Sequence, residues 1–380
     1  MPRSCILPGA TIGIFGGGQL GRMTAMAARE MGYRSRVVDP DPGCAARFSV
    51  EEHIVAAFDD VDAAARLAAG SDVVTLEIEK IALACLDRAR RDVPVRPSSA
   101  ALSLIQDRAA QKSFLSKAGL PVGPFAVATN EAELEQALAS LGGRCFVKAA
   151  RGGYDGRGQA QTTSPSDAAS AWRELAAETC VVEQALAIEG ELSVMVARSP
   201  SGEIAVYPPA LNHHVERVLA WSVLPAPVEP ALGEQALEIA RAVASALEVE
   251  GLLCIELFVV GGALLVNELA PRPHNSYHAS VLASETSQFE QCVRAVCDLP
   301  LGSVQTTRPA AIYNLLGDDW LGGAPPNFER ALELAGVRLH LYGKSVARPG
   351  RKMGHLSASA GTPMQAVELV KRAKALLTGR

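Results

Sequence analysis

The sequence predicts an α/β protein in three parts, with a parallel sheet near its N-terminus. Three observations predict it: strands alternate with helices through the first hundred residues, two glycine-rich clusters follow strands, and 380 residues exceed one ordinary core. Hydrophobic residues make up 48% of the chain and charged ones 20%, and the net charge of −5 argues against general nucleic-acid binding. No apolar run approaches the roughly eighteen residues of a membrane span, and no basic segment leads into an apolar one at the N-terminus. Eight cysteines at 5, 44, 85, 145, 180, 254, 292 and 297 form no C-x-x-C pair, so they read as reduced, mostly buried thiols of a cytoplasmic protein.

The elements follow in order. TIGIF (11–15) is a short apolar strand, 18–31 a helix and YRSRVVD (33–39) a second strand. SVEEHIV, the helical VDAAARLAA and SDVVTLEIE continue a βαβ series, which implies parallel strands covered by helices. Residues 98–120 predict a helix stopped by Ala-Gly-Leu-Pro. Strands are then expected at 144–150, 179–184, 191–198 and 203–208, with helices near 131–140 and 166–177. A long helix covers 230–247, and 251–272 reads as a hairpin. Strands near 310–316, 337–342 and 352–359 and a helix at 362–377 complete the chain. Breaks near 106 and 303 give parts 1–106, 107–303 (with a glycine-loop subdomain at about 107–182) and 304–380.

Gly16, Gly18 and Gly21 satisfy G-x-G-x-x-G between a strand and a helix, and Asp39 lies 18 residues further on. That is the spacing of a dinucleotide fingerprint and would fit an NAD-binding oxidoreductase. The same backbone amides equally suit any phosphate at a helix N-terminus, or a tight turn without a ligand. The second cluster, KAARGGYDGRGQ (148–159), lacks the Gly-Lys-Ser/Thr of a P-loop. It follows the strand bearing Lys148, as suits a glycine hairpin laid over a triphosphate with a lysine as point charge; a solvated surface turn is the bland alternative.

The hairpin bears Glu256 and Glu268. A three-residue loop Gly261-Gly262-Ala263 would set them face to face with Cβ atoms about 5 Å apart, whereas a two-residue Gly-Gly turn would break that register. Two carboxylates so close repel, and one is pushed toward protonation. A shared Mg²⁺ (with Mn²⁺ as alternative) relieves the conflict and also grips nucleotide phosphates.

The glycine loop, the Lys148 strand, EQAL (183–186) and the paired glutamates resemble an ATP-grasp fold. GGGQLGRM (16–23), DRAAQK (107–112), GGYDGRGQ (152–159), NELAPRPHNS (267–276) and ARPGRKMGHL (347–356) extend the likeness over nearly the whole chain to the N5-carboxyaminoimidazole ribonucleotide synthetase family. The resemblance implies an N-terminal Rossmann-like (pre-ATP-grasp) domain, an ATP-grasp domain and a small C-terminal domain. It also implies ATP-dependent carboxylation of 5-aminoimidazole ribonucleotide by bicarbonate through carboxyphosphate, in purine biosynthesis, by a cytoplasmic homodimer. Partners would be these small molecules, with no nucleic acid and no membrane. Rivals are a formate-activating ATP-grasp ligase acting on glycinamide ribonucleotide and the oxidoreductase above.

Site roles follow from the resemblance residue by residue. Arg108 and Lys148 would contact ATP phosphates beneath Gly153, Tyr154, Asp155, Gly156, Arg157, Gly158 and Gln159. The backbone of Glu183, Gln184, Ala185 and Leu186 would meet adenine, Glu191 the ribose and His214 the nucleotide region, with Asn267 beside the metal pair Glu256 and Glu268. Gly18, Gln19 and Leu20 would hold the substrate 5′-phosphate, helped by Lys344, Arg351 and Lys352, whose bland reading is a solvated basic turn. Glu77 would reach the substrate, Tyr154 and Arg157 would line its pocket, and Asp155 would be the base. Arg272, His274 and Asn275 would position imidazole and bicarbonate. Lys80, Arg217 and Tyr277 depart from the family pattern, the last two where glycine is usual, which predicts altered loop paths near His214 and His278.

Overall fold

In the computed structural model, residues 5–152, 158–322 and 325–379 are described. They form three sheets. The first runs β3-β2-β1-β4, all parallel, from β1 (Thr11–Phe15), β2 (Arg34–Val38), β3 (Glu52–Ile54) and β4 (Val73–Leu76). The central β1 and its neighbour β4, TIGIF and VVTL, are buried throughout, whereas the outer β2 and β3, RSRVV and EHI, carry partly exposed polar residues. Phe15, Leu67, Leu76 and Leu86 make its core.

The second sheet is small and antiparallel, ordered β5-β8-β6-β7 from β5 (Phe125–Ala128), β6 (Cys145–Ala149), β7 (Gln159–Thr162) and β8 (Cys180–Gln184). The large third sheet runs β14-β13-β9-β11-β12-β15-β17-β16, with β10 (Ile204–Val206) pairing beside β9 (Gly190–Arg198). Its other strands are β11 (Ala210–Val215), β12 (Val218–Leu224), β13 (Gly251–Val260), β14 (Ala263–Ala270), β15 (Ala310–Leu316), β16 (Val337–Leu341) and β17 (Lys352–Ser359). The helix Pro230–Leu247 packs Ile239 and Val243 onto Val194, Val196 and Leu253 of this sheet. Because β12 pairs with β15, the sheet runs unbroken past residue 303, and helix Pro363–Thr378 buries Val367 and Val370 against its far end.

Two expectations change. The helix at 98–120 is broken at Asp107, whose carboxylate accepts from the Ala109 and Ala110 amides and so starts a new helix, Arg108–Lys117. Strands β11 and β12 have no clear signal in ALNHHVERVLAWSVL, where polar residues interrupt the alternation and no glycine marks the turn. All eight cysteines are free thiols, and seven are buried. Among the described residues no helix is long and apolar enough to cross a membrane.

Candidate active site

The β13–β14 hairpin corrects one step of the sequence reading and keeps its result. Val260 pairs with Ala263, so the turn is the two-residue Gly261-Gly262, with both glycines in the left-handed region at φ +56° and +74°. Pairing then shifts by one residue between Glu256 and Leu257, because Asn267 is an extra residue in β14. That bulge restores Glu256 opposite Glu268.

The two carboxyls are not equivalent. Burial raises the Glu256 pKa, but the hydrogen bond and charge of His274, with the charges of His214 and Arg272, more than reverse this and hold it well below the usual range. His274 Nε2 lies 3.2 Å from Glu256 Oε1, and the Asn267 amide donates to Oε2 at 3.4 Å. Glu268 opens to solvent, but protein crowds it enough that lost hydration, joined by the Glu256 charge, raises its pKa. Arg108 and Lys148 pull it the other way, which places it between the hairpin and the small sheet. Two carboxylates facing each other across the hairpin fit a divalent cation. Among the described residues no three His, Cys, Asp or Glu side chains are grouped to hold a metal alone, so such an ion would share its remaining positions with phosphate oxygens and water.

Beyond the hairpin, Arg272 Nε pairs with Glu79 Oε1 at 2.7 Å, reaching from the large sheet to the loop after β4. Glu79 was not among the expected site residues, although TLEIEK carries it two positions after Glu77. His274 Nδ1 lies 2.8 Å from Ser276 Oγ, which accepts from Ser193 Oγ at 2.8 Å, so the imidazole is fixed at both nitrogens. Asn275 Oδ1 accepts from Gln19 Nε2 at 3.4 Å and lies 3.2 Å from His278 Nε2. His278 is stripped of water and held neutral, its pKa lowered to about 3.

Lys148 on β6 donates to Glu183 Oε2 at 2.8 Å, and Lys112 approaches Oε1 at 3.7 Å. Burial raises the Glu183 pKa, but these two lysines and Arg108 outweigh it and keep the carboxylate charged. Lys112 sits in DRAAQK yet was not expected here; it is buried and also donates to the Val266 carbonyl at 3.3 Å. Arg108 donates to the Ala149 carbonyl from its guanidinium and to Ala150 from its backbone. Glu183 lies at the end of β8, which runs between β5 and β6 and pairs Glu183 with Phe125 and Phe146. The Gln184 and Ala185 amides donate to the Pro124 and Arg144 carbonyls at 3.1 and 2.9 Å. His214 Nδ1 lies 2.8 Å from Glu191 Oε2 across β11 and β9. Gln159 pairs with Lys148 across β6 and β7, and Gly158 has φ +70°. Gly153, Tyr154, Asp155, Gly156 and Arg157 lie outside the described residues.

At the first glycine cluster the amides are already engaged. Gly17 donates to Asp39 Oδ2 and Asp41 to Asp39 Oδ1, both at 2.8 Å. With both oxygens committed to backbone, Asp39 serves the turn rather than a ribose. The Gly18 and Gly21 amides donate to Glu77 at 2.8 and 3.1 Å, so Gly18 does not offer its amide to a phosphate as expected. A Cβ on Gly18 would sit 2.6 Å from Glu77 Oε1, so the glycine is needed for this approach. Glu77 is buried, and its pKa is pushed up to about 7 by burial against those two amides. Lys344 Nζ reaches Gln19 Oε1 at 2.9 Å and the Lys352 carbonyl at 2.8 Å, while Arg351 pairs with Asp41 at 3.3 Å. The segment expected as a solvated turn or phosphate clamp thus folds onto Gln19, at the start of helix Gln19–Glu30, and onto Asp41.

The departures have distinct outcomes. Tyr277 is fully buried, with its hydroxyl 2.9 Å from the Ser193 carbonyl and 2.8 Å from that of Pro208, so the ring fills core space. Glu216 and Arg217 form the β11–β12 turn at φ +50° and +69° without glycine.

Comparison with known proteins gives a consistent picture. Three family models match in succession: the ribonucleotide synthetase preATP-grasp domain over 9–106, the ATP-grasp domain over 113–289 and the phosphoribosylaminoimidazole carboxylase C-terminal domain over 310–368. The chain is 41% identical to the N5-carboxyaminoimidazole ribonucleotide synthase of Brucella melitensis, across 94% of this chain and 98% of that one. It is 40% identical to the Bacillus subtilis protein of the same name, across 94% and 93%. Among solved structures, an ADP complex of an N5-carboxyaminoimidazole ribonucleotide synthetase superposes with a TM-score of 0.91 at 41% identity, covering 98% of each chain. The Aspergillus clavatus synthase in complex with ADP and 5-aminoimidazole ribonucleotide gives 0.88 at 29% identity, covering 98% and 99%.

Proposed function

Because this chain belongs to the N5-carboxyaminoimidazole ribonucleotide synthetase family of ATP-grasp ligases, we propose that it carboxylates 5-aminoimidazole ribonucleotide with bicarbonate at the expense of ATP. The observation that carries this reading is a single charged cluster drawn from all three sheets' neighbourhoods. Lys148, Glu183 and Lys112 stand on one side, Glu256, His274, Arg272 and Glu79 on the other, and Glu268 faces both.

The residues divide the chemistry as follows. Lys148 and Arg108 bind phosphate oxygens, and Glu183 keeps Lys148 aimed while Lys112 balances its charge. Glu256 and Glu268, with Asn267 beside them, would hold Mg²⁺ or Mn²⁺, which supplies charge stabilisation to phosphoryl transfer when bound. A bicarbonate oxygen attacks the γ-phosphorus as ADP leaves, forming carboxyphosphate. The substrate amine then attacks the carboxyl carbon, phosphate departs, and Asp155 takes the amine proton. Arg272 orients the bicarbonate oxygens, held by Glu79, while His274 and Asn275 fix the imidazole. The Gln19 and Leu20 amides, Lys344, Arg351 and Lys352 bind the 5′-phosphate at a helix N-terminus. Carboxyphosphate is destroyed by water, so the loop 153–159 has reason to cover it. A cytoplasmic location is consistent with the free thiols, and a homodimer is what the family resemblance implies.

A coupled ADP-release assay tests the reading. Turnover is expected to require bicarbonate and aminoimidazole ribonucleotide and to ignore glycinamide ribonucleotide with formate. Equal turnover with the latter pair would replace this acceptor by its rival.

A further inference from the structure

We infer that Arg217 is a positioning residue for the nucleoside triphosphate, bridging the large sheet to the small one beside the bound phosphates. The first observation is the turn itself. Glu216 and Arg217 join β11 to β12 at φ +50° and +69°, both in the left-handed region that such hairpin turns normally give to glycine or asparagine. An L side chain is strained there, and a strained conformation that persists at a site edge points to a task for the side chain.

The second observation is where that side chain goes. With the Gln159 amide oriented by its donors, Arg217 Nη1 and Nε donate to its oxygen at 2.8 and 3.1 Å. Two guanidinium nitrogens therefore converge on one side-chain oxygen of β7. Gln159 is in turn the register partner of Lys148 on β6. The cation on the hairpin tip thus reaches the strand pair that presents the phosphate-binding lysine.

The hairpin also faces the nucleotide from its own side. A bulge between His213 and His214 turns His214 toward Glu191 at 2.8 Å. One hairpin therefore supplies His214 on the ribose side and Arg217 toward the phosphate side, and Arg217 fixes the gap between two sheets joined there through the Gln159 oxygen. The inference rests on the reading that ATP lies between these sheets.

The test measures Mg-ATP affinity by calorimetry and the KM values of both nucleotides for the wild type, Arg217→Gly, Arg217→Lys, Gln159→Ala and the Arg217→Gly/Gln159→Ala pair. Arg217→Gly is expected to raise the ATP Kd and KM about tenfold, the scale of a charge-assisted hydrogen bond, with a smaller change in the KM for aminoimidazole ribonucleotide. Glycine relieves the turn, so thermal stability should not fall, which separates this loss from misfolding. Lysine keeps the charge without the fork and should recover part of the affinity. The double variant should be no weaker than either single one. Unchanged ATP affinity in Arg217→Gly, or fully additive losses, would overturn the inference while leaving the carboxylation reading intact. Failure of the wild type to bind Mg-ATP would remove that reading and the inference together.

Discussion

Glu256 and Glu268 stand opposite one another because a bulge at Asn267 cancels the offset of a two-residue turn. The hairpin thereby combines the tightest glycine turn with a pairing that such a turn alone would miss by one residue. Since a one-residue slip moves every following side chain to the other face, the bulge determines which carboxyls meet. Glu268→Gln is expected to lower kcat at least ~100-fold, about 2.7 kcal/mol of transition-state stabilisation, with the Mg²⁺ activation curve moved to higher concentration. A steady-state metal titration checks it. Gly261→Ala and Gly262→Ala should each cost about 1 kcal/mol in urea unfolding, because alanine is strained at φ +56° and +74°.

Arg272 and Glu79 form a second link, between the large sheet and the loop after β4. Arg272→Lys loses the planar fork, and Glu79→Gln leaves the guanidinium without its carboxylate. Each variant should lower kcat/KM, and the pair should lose much less than the sum. A double-mutant cycle on kcat/KM should return a coupling of about 1 kcal/mol or more.

Lys344 sets a pH dependence. Burial and the neighbouring charges of Arg351 and Lys352 lower its pKa to about 8, against the opposing pull of Glu77 and Asp39. Below that pH it is charged and attracts a phosphate dianion; above it the attraction is lost. The KM for the ribonucleotide should therefore climb between pH 8 and 9 while the KM for ATP stays level. Lys344→Arg should flatten the rise. For folding the sign is opposite: the folded chain holds fewer protons than the unfolded one from about pH 8 to the normal lysine pKa, so stability rises over that window.

Glu183 is held between Lys148 and Lys112, with Lys112 buried. Removing it takes away the carboxylate between two ammonium groups and leaves Glu268 as the nearby anion acting on both. Glu183→Ala is expected to lower stability by about 3 kcal/mol, measured by chemical denaturation, and to weaken ATP binding.

The sequence carried the residue types more fully than their connections. Short motifs revealed Lys148, both hairpin glutamates and the basic C-terminal segment, because each chemistry restricts composition locally. The register of Glu256 with Glu268 needed the bulge, and a bulge at Asn267 leaves no mark in the alternation of apolar residues. Glu79 and Lys112 act through partners 193 and 71 positions away, Arg272 and Glu183, and such pairings are set by packing of separate sheets. The GGGQLG amides also had several candidate acceptors, and only the fold shows Glu77 and Asp39 filling that role. Strands β11 and β12 stayed hidden because a turn normally signalled by glycine is made by Glu216 and Arg217.

Anomalous diffraction from crystals grown with Mn²⁺ and ADP tests the metal pair most directly. The account predicts a peak between the Glu256 and Glu268 carboxylates, about 2.2 Å from an oxygen of each and touching the terminal phosphate. A peak ligated elsewhere, with those side chains directed to different faces of the hairpin, would contradict it.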